Sequence, residues 1–437
     1  MTNCTQKSFY FPSFSRRKIE AKFSGGDVTS DGGVLLLREI DRQLQLSKQL
    51  SEVIPDPRNP ELITHPQVAL LKQRIYALAL GYEDLNDHTQ LRKDPAFQTA
   101  LERDEELASS STLCRLENRS ARQSAFDMHR IFVEKFIESF QETPDKLILD
   151  FDATDDRVHG EQEGRFFHGY YQGYCFLPLY VFCNDQLLVS YLRPSSQDAA
   201  KHSWAILALL VKRLRQTWPD VTIIFRGDSG FCRHRMLSWC ERHDVKYIVG
   251  IAKNKRLLQK SEALETQAKK QYKLTEEKQC LFSECQYAAK SWKQARRILI
   301  KAEHTSKGAN PRFVVTNLKE MPQALYDIVY CARGDMENRI KEQQLDLFAD
   351  RTSCHRWWAN QFRLLLSSAA YILISGIRRC ALKTTQWAKA QCGTIRLKLF
   401  KIGAVIIRNT RRVRFLLSSS YPYQEQFMKV VAQLGPG

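Results

Sequence analysis

The sequence predicts a mixed α/β fold preceded by a mainly helical region. Residues 146–251 contain five apolar runs of the kind that form strands, and helical spacing appears between the last of them. The first 140 residues show mainly helical spacing. With 437 residues, of which 43% are hydrophobic and 26% charged, the chain has an ordinary globular composition and is long enough for several domains.

Three helices are expected in the amino-terminal region, over residues 34–50, 65–80 and 125–140. Gly32 and Gly33 are not followed by Gly-Lys-Ser/Thr, which makes a nucleotide-binding phosphate loop improbable. Residues 108–118 are ASSSTLCRLEN, with hydroxyl side chains ahead of Arg115. This pattern is typical of the second helix of a helix-turn-helix, with the arginine pointing outward, but a Ser-capped surface helix would have it too.

The strands of the α/β region are expected over residues 146–151, 175–183, 187–192, 221–226 and 245–251. Helices over 204–215 and 233–243 separate the later strands. Three strands in a meander followed by strand–helix units predict a mixed sheet in which the late strands are parallel.

The net charge of +18 indicates a polyanionic partner, because cations that neutralise phosphates release condensed counterions. Residues 371–437 contain twelve Lys or Arg and one acid, Glu425. The amino terminus shows no export signal, the apolar runs are too short to cross a bilayer, and the twelve cysteines form no CxxC motif. We therefore expect a cytoplasmic protein that binds nucleic acid and no membrane.

Five regions follow from these patterns. The apolar pieces beyond residue 394 predict a small hairpin unit in the last one. The regions are a mainly helical DNA-binding region (1–140), the first part of the core (141–252), a basic β-rich insertion (253–323), the second part of the core (324–380) and a basic C-terminal region (381–437).

Three segments carry acids where chemistry is expected. In KLILDFDATDD, alternation places Ile148, Asp150 and Asp152 on one face, and a metal ion would offset the cost of burying the two carboxylates. Asp228 lies in RGDSGF after an apolar strand, where ligand sites of α/β sheets gather. Solvated strand ends and an ordinary βα turn would look similar.

The third segment is YCARGDMENRIK, in which Arg333, Glu337 and Lys341 share one face of a helix. A salt-bridge ladder would give the same spacing. Gly334 weakens the helix by about 1 kcal/mol, which suggests that something approaches closely there. Together Asp152, Asp228 and Glu337 would hold two Mg²⁺ ions for phosphodiester chemistry, and their order after meander strands is the ribonuclease-H-like arrangement.

Several ordered motifs, LDFDATDD, HGEQEGRFFHGYY, RGDSGF, YCARGDMENRIKE and RTSCHRWWANQFRLLL, make the chain similar to DDE transposases of bacterial insertion sequences. The resemblance covers nearly the whole chain and is closest to the group named for insertion sequence thirteen-eighty, within the IS-four-like superfamily. It implies a ribonuclease-H-like catalytic core with a β-rich insertion. It also implies the catalytic and metal-binding triad Asp152, Asp228 and Glu337, with Asp150 as a further ligand or a substitute.

The superfamily's Tyr-Arg-Glu-Lys signature falls on Tyr330, Arg333 and Glu337. Its distal lysine is Gln344 here, so either Lys341 serves instead or the role is absent. The expected DNA contacts are Arg115, Arg226, Tyr330, Arg333 and Lys341.

The resemblance implies binding of terminal inverted repeats and target DNA, metal-dependent cleavage and strand transfer, two Mg²⁺ ions per site with Mn²⁺ as a substitute, and a homodimer in the active complex of a bacterial, nucleoid-associated protein. Two alternatives remain open: a ribonuclease-H-like nuclease without strand transfer, and an inactive DNA-binding relic.

Overall fold

The structure, a computed structural model, describes residues 8–435. Residues 1–7, on which the expectation about export partly rests, lie outside the described residues. Contacts divide the chain into two units. The first comprises Met1–Ser51, Asp56–Leu116 and Gly376–Gly437, and the second comprises Glu52–Pro55 and Glu117–Ser375. The N- and C-terminal regions therefore belong to one unit, and its boundary at Leu116 precedes the boundary expected near residue 140.

The first unit is mainly helical and carries two small sheets. One is the two-stranded hairpin β1–β2, and the other has the order β17-β16-β3. Its strands are β1 (Phe9–Phe14), β2 (Arg17–Ala21), β3 (Val28–Thr29), β16 (Ala404–Asn409) and β17 (Arg412–Leu417). Its helices are α1 (Leu35–Leu44), α2 (Leu46–Glu52), α3 (Gln67–Leu80), α4 (His88–Leu91), α5 (Pro95–Ala100), α6 (Ser110–Glu117), α14 (Cys392–Ile395) and α15 (Gln424–Leu434).

The second unit is built on a mixed sheet with the strand order β12-β13-β15-β11-β10-β4-β8-β9. Strands β4, β10 and β11 are parallel, whereas β8 and β9 continue from β4 as antiparallel neighbours. The strands are β4 (Lys146–Ala153), β5 (Asp156–Arg157), β6 (Phe166–His168), β7 (Gly173–Phe176), β8 (Leu179–Cys183), β9 (Gln186–Tyr191), β10 (Thr222–Gly227), β11 (Lys246–Ile251), β12 (Gln279–Tyr287), β13 (Arg296–Thr305), β14 (Gly308–Ala309) and β15 (Arg312–Thr316).

Helices cover this sheet on both faces. Alternation sends Leu149 and Phe151 of β4 into a large apolar cluster with the helices on one face, while Ile148 faces a smaller cluster with Leu325 and Tyr326. The helices are α7 (Arg122–Glu138), α8 (Ser203–Thr217), α9 (His234–Arg242), α10 (Lys255–Thr275), α11 (Pro322–Ala324), α12 (Gly334–Lys341) and α13 (Trp357–Ile377).

The structure confirms a mixed α/β arrangement with parallel late strands, and it corrects four local expectations. The helix expected over 34–50 is interrupted at Gln45, which has a left-handed φ of 51°. The strand expected over 175–183 is two strands, because Pro178 cannot donate to a ladder. The insertion begins with the 21-residue helix α10, and its strands extend the main sheet. The apolar piece at 395–400 is helical, and only β16 and β17 form the hairpin.

The helical run Trp357–Leu382 is longer than its apolar core suggested. By length and composition alone it would be able to cross a membrane, but 89% of its most apolar window is buried inside the protein. Its residues contact the sheet: the Ser368 hydroxyl hydrogen-bonds that of Ser190, and the Gln361 amide oxygen accepts from the Leu192 N–H. Such burial is what a core helix shows.

Candidate active site

The carboxyl ends of two parallel strands bring the first two acids to one edge of the sheet. Residues 146–151 of β4 pair with residues 222–227 of β10, so that Asp152 and Asp228 both follow the last paired positions. Asp228 also caps a short helical turn, Ser229–Phe231, by accepting a hydrogen bond of 2.9 Å from the Gly230 N–H. Ligand sites of parallel sheets gather at this edge.

Glu337 reaches the same edge on an irregular helical run of residues 322–346. The run begins over the sheet, where Leu325 and Tyr326 are buried in the smaller apolar cluster. It then changes from π-helical to 3₁₀ to α-helical geometry, and α12 starts at Gly334. No heavy atom lies within 4 Å of a Cβ built at Gly334, so the expected close approach at this glycine is wrong for the described residues.

Arg333 lies between the first and last acids. Its Nη1 is 3.2 Å from Asp152 Oδ2, and its Nη2 is 2.7 Å from Glu337 Oε1. Burial raises the pKa of Asp152 to about 7; Arg333 opposes this shift, and the carboxylates of Asp228 and Glu337 add to it. The three acids are thus close enough to repel one another, and the Arg333 guanidinium offsets part of that repulsion.

Tyr330 packs against the backbone beside Asp228. A Cβ at Gly250 of β11 would lie 2.6 Å from the Tyr330 hydroxyl and 2.9 Å from the Ser229 backbone nitrogen. Burial raises the pKa of Tyr330, and Arg333 opposes that shift. Gly250 is therefore a residue of this site that the sequence analysis missed; a glycine inside a strand often marks such an approach.

Asp150 and Arg226 form a buried ion pair with each other. Arg226 donates from Nε to Asp150 Oδ1 and from Nη2 to Asp150 Oδ2, the latter at 2.6 Å, and its Nη1 donates to the Val329 carbonyl. Both side chains are less than a tenth exposed. The expectations that Asp150 binds metal and that Arg226 contacts DNA are corrected on this ground, because all three donor groups of Arg226 and both Asp150 oxygens are engaged.

The family model described as "Transposase DDE domain group 1" matches residues 11–436 of this sequence. The chain belongs to this DDE transposase family. A search of curated proteins finds no match. Among solved structures, the chain is similar to piggyBac transposase in a synaptic complex with hairpin DNA, with 10% identity, 85% of this chain and 79% of that chain covered, and a TM-score of 0.40.

The remaining predicted residues of the transposase lie in different surroundings. Arg115 is exposed on α6 and donates to Thr112 Oγ1 at 3.0 Å. Lys341 is exposed at the end of α12 and forms no ion pair with the residues that the structure describes. Gln344 points back to the sheet edge: its Nε2 donates to the Asp155 carbonyl at 3.0 Å and to Asp156 Oδ1 at 2.9 Å. In this transposase Gln344 therefore contacts protein.

A cleft of about 560 Å³ opens beside Asp228 in the transposase. Tyr330 and Arg333 line one side, and residues of β13 and β15 line the other. Cations dominate the far wall, although Glu303 also faces the cleft and pairs with Lys301 at 3.1 Å. The cationic lining residues beyond the predicted site are Lys253, Lys301 and Arg312.

DDE transposases generally use divalent metal ions. The donor set of Asp152, Asp228 and Glu337 suits such an ion, because hard cations take carboxylate oxygens, and the mostly buried Asp152 carboxylate is poorly compensated by Arg333 alone. Within residues 8–435, however, no group of three or more His, Cys, Asp or Glu side chains is arranged to hold a metal. The Arg333 guanidinium bridges two of the three acids instead.

Proposed function

We propose that this transposase moves a bacterial insertion sequence of the thirteen-eighty group. It binds the terminal inverted repeats of the element, cleaves the DNA at the element's ends and joins those ends to target DNA. The observation that supports this reaction most directly is the convergence of Asp152, Asp228 and Glu337 from two strand ends and a later helix around Arg333. A salt-bridge ladder along α12 would not include a strand residue such as Asp152.

The strand order supports a ribonuclease-H-like core. From β9 through β8 and β4 to β10 and β11, three antiparallel strands lie beside two parallel strands, and the first two acids follow the first and fourth of these in chain order. The arrangement places acids from distant parts of the sequence at one edge of the sheet. The insertion strands β12, β13 and β15 continue the same sheet beyond β11.

The three acids would hold two Mg²⁺ ions, with Mn²⁺ as a substitute. When bound, the metal activates the attacking water or hydroxyl and stabilises the leaving oxygen of the phosphodiester. Metal binding would release Arg333 from Asp152 and Glu337, since the carboxylates would then be neutralised directly. The freed guanidinium, with Lys253, Lys301 and Arg312 in the adjoining cleft, would neutralise DNA phosphates next to the cleaved bond.

Two further parts of the proposal concern the assembly. We expect a homodimer in the active complex, since two element ends must be processed together, and a cytoplasmic, nucleoid-associated location in the bacterium. The net charge of +18 supports a polyanionic partner of this kind.

The test is a cleavage assay with duplexes that carry the element's own terminal repeats, a supercoiled target plasmid and Mg²⁺. Wild-type protein is expected to nick at the repeat ends and to join them to the plasmid, and EDTA is expected to stop both steps. Asp152→Asn, Asp228→Asn and Glu337→Gln should each lose both steps by about 10²-fold or more, because transition-state charge is no longer stabilised. Binding to the repeats should remain.

Asp327→Asn is the matched control, because Asp327 is an exposed acid on the same helical run. It should nick and join at the wild-type rate. Nicking without joining would support the nuclease alternative, and repeat binding without either step in wild-type protein would support the inactive relic. Full joining by Glu337→Gln would contradict the proposed triad.

A further inference from the structure

The β1–β2 hairpin is fully solvent-facing. All eleven residues of its two strands are exposed, and the strands pair only with each other in the described part of the chain. The register runs from Phe9 opposite Ala21 to Phe14 opposite Arg17, with an irregularity between Phe11 and Phe14. A two-stranded hairpin is marginally stable by itself in water. An exposed hairpin of this kind therefore indicates a binding partner.

Large apolar side chains cover the hairpin. Tyr10 and Phe14 are each 73% exposed, and Phe11 is 57% exposed. Phe14 lies directly before the two-residue turn at Ser15 and Arg16. Aromatic groups at the end of a hairpin cost free energy in water, and this cost is recovered when a partner covers them.

Cations concentrate at the same end. Arg16, Arg17 and Lys18 follow one another at the turn, Lys22 follows β2, and Glu20 is the one acid between Phe9 and Lys22. Among the described residues, none of these three turn cations forms an ion pair. Basic side chains without carboxylate partners are available to phosphates.

We infer that the β1–β2 hairpin is a DNA-binding arm that enters a groove of double-stranded DNA, with Arg16, Arg17 and Lys18 on the phosphates and Phe14 against sugar and base edges. The inference rests on the proposed function, because it assigns part of the DNA contact to this arm. A two-stranded ribbon fits the major groove, which is about 12 Å wide. Charge favours DNA over a second copy of the chain, since each copy carries a net charge of +18.

The experiment measures binding of the full-length protein to a duplex of its terminal repeat and to a random duplex, from about 50 to 200 mM salt. Replacing Arg16, Arg17 and Lys18 together by Ala should weaken binding to both duplexes at least about tenfold and reduce the salt slope by about 2–3. Phe14→Ala should weaken binding without changing the salt slope. Arg16→Lys with Arg17→Lys should retain the wild-type slope.

The matched control replaces three exposed lysines on other elements, Lys48, Lys201 and Lys319, by Ala, which lowers the net charge by the same amount. It should change affinity less than about threefold. Equal losses in both triple variants would overturn the inference, because only net charge would then matter. Normal DNA binding with altered sedimentation in the Phe14 or cation variants would also overturn it, since the arm would be a protein interface. Failure of wild-type protein to bind any DNA would instead overturn the proposed function.

Discussion

At the scale of single residues, Asp150 and Asp152 show how two acids on one strand face take different roles. Strand alternation places both on the same side of β4. Asp150 lies opposite Arg226 in the parallel register and is held by it, whereas Asp152 is one pleat nearer the strand end and faces Arg333. Asp150 therefore contributes to the fold, and Asp152 to the site.

This difference predicts opposite effects of neutralising the two acids. Asp150→Asn should lower the free energy of unfolding by about 3–5 kcal/mol, because it leaves the buried Arg226 without its counter-charge. Asp152→Asn should leave stability unchanged or slightly raised without metal, because it removes repulsion with Asp228 and Glu337. Urea unfolding in EDTA measures both. Equal stability of the two variants would contradict the separation of roles.

His88 predicts how stability depends on pH. Burial lowers the pKa of His88 to about 2, and Arg74 adds to this shift, so the imidazole stays neutral in the folded protein. As pH falls below about 6.5, the unfolded chain takes up a proton that the folded chain does not. The stabilising contribution is therefore present above pH 6.5 and is lost towards pH 2, at about 1.4 kcal/mol per pH unit.

Wild-type protein should accordingly lose about 2.5 kcal/mol more stability between pH 6.5 and 4.5 than His88→Gln does, as measured by urea unfolding. His159→Gln provides the control, because His159 is exposed. Parallel pH profiles for wild-type protein and His88→Gln would show that His88 does not determine the acid sensitivity.

At the scale of elements, the irregular helical run 322–346 controls where Glu337 lies. Its first turns are anchored in the smaller apolar cluster, and its last turn is held to the residues after β4 by Gln344. Between these two anchors, Arg333 and Glu337 face the strand ends. The helix is therefore positioned from both ends.

Loss of the second anchor should affect both stability and activity. Gln344→Ala removes the hydrogen bonds to the Asp155 carbonyl and to fully buried Asp156, which should cost about 1–3 kcal/mol. We also expect slower DNA cleavage at saturating Mg²⁺, because Glu337 is less well positioned. The control is Lys341→Ala on the exposed side of the same run, measured for stability only. An unchanged unfolding free energy for Gln344→Ala would show that the anchor is dispensable.

At the scale of the whole molecule, the first unit joins the two ends of the chain. The Gly32 N–H donates to the Ile402 carbonyl at 2.8 Å, and a Cβ at Gly33 would overlap the Leu399 carbonyl oxygen. These glycines thus allow backbone to meet backbone, which gives a physical reason for the Asp-Gly-Gly segment. Deleting the N-terminal region alone would leave the C-terminal segment without its partner.

A single substitution tests this packing. Gly33→Ala should destabilise the protein by several kcal/mol, because the main chain of Leu399 and Phe400 would have to move. Gly403→Ala is the control, since no heavy atom lies within 4 Å of a Cβ there. Thermal unfolding of both variants gives the comparison. Wild-type stability in Gly33→Ala would mean that the two chain ends are not packed as described.

The sequence by itself determined the features that local chemistry encodes. Apolar periodicity located most helices and strands, and strand alternation showed that Asp150 and Asp152 share a face. The motifs around Asp152, Asp228 and Glu337 predicted the family to which the chain belongs. One missed element had a local signal: α10 carries Leu257, Ser261, Leu264 and Ala268 at helical spacing, but its many lysines suggested an exposed insertion.

Only the tertiary structure decided which partner each of these residues has. Arg226 is about as far from the chemistry in sequence as Asp228 is, yet its cross-strand neighbour Asp150 removes it from any DNA contact. Arg333 joins Asp152 across 181 residues, and Gly33 meets Leu399 across the length of the chain. Such pairings depend on strand register and on long-range packing, and no periodicity within one segment records them, because the interacting groups are brought together only when the chain folds.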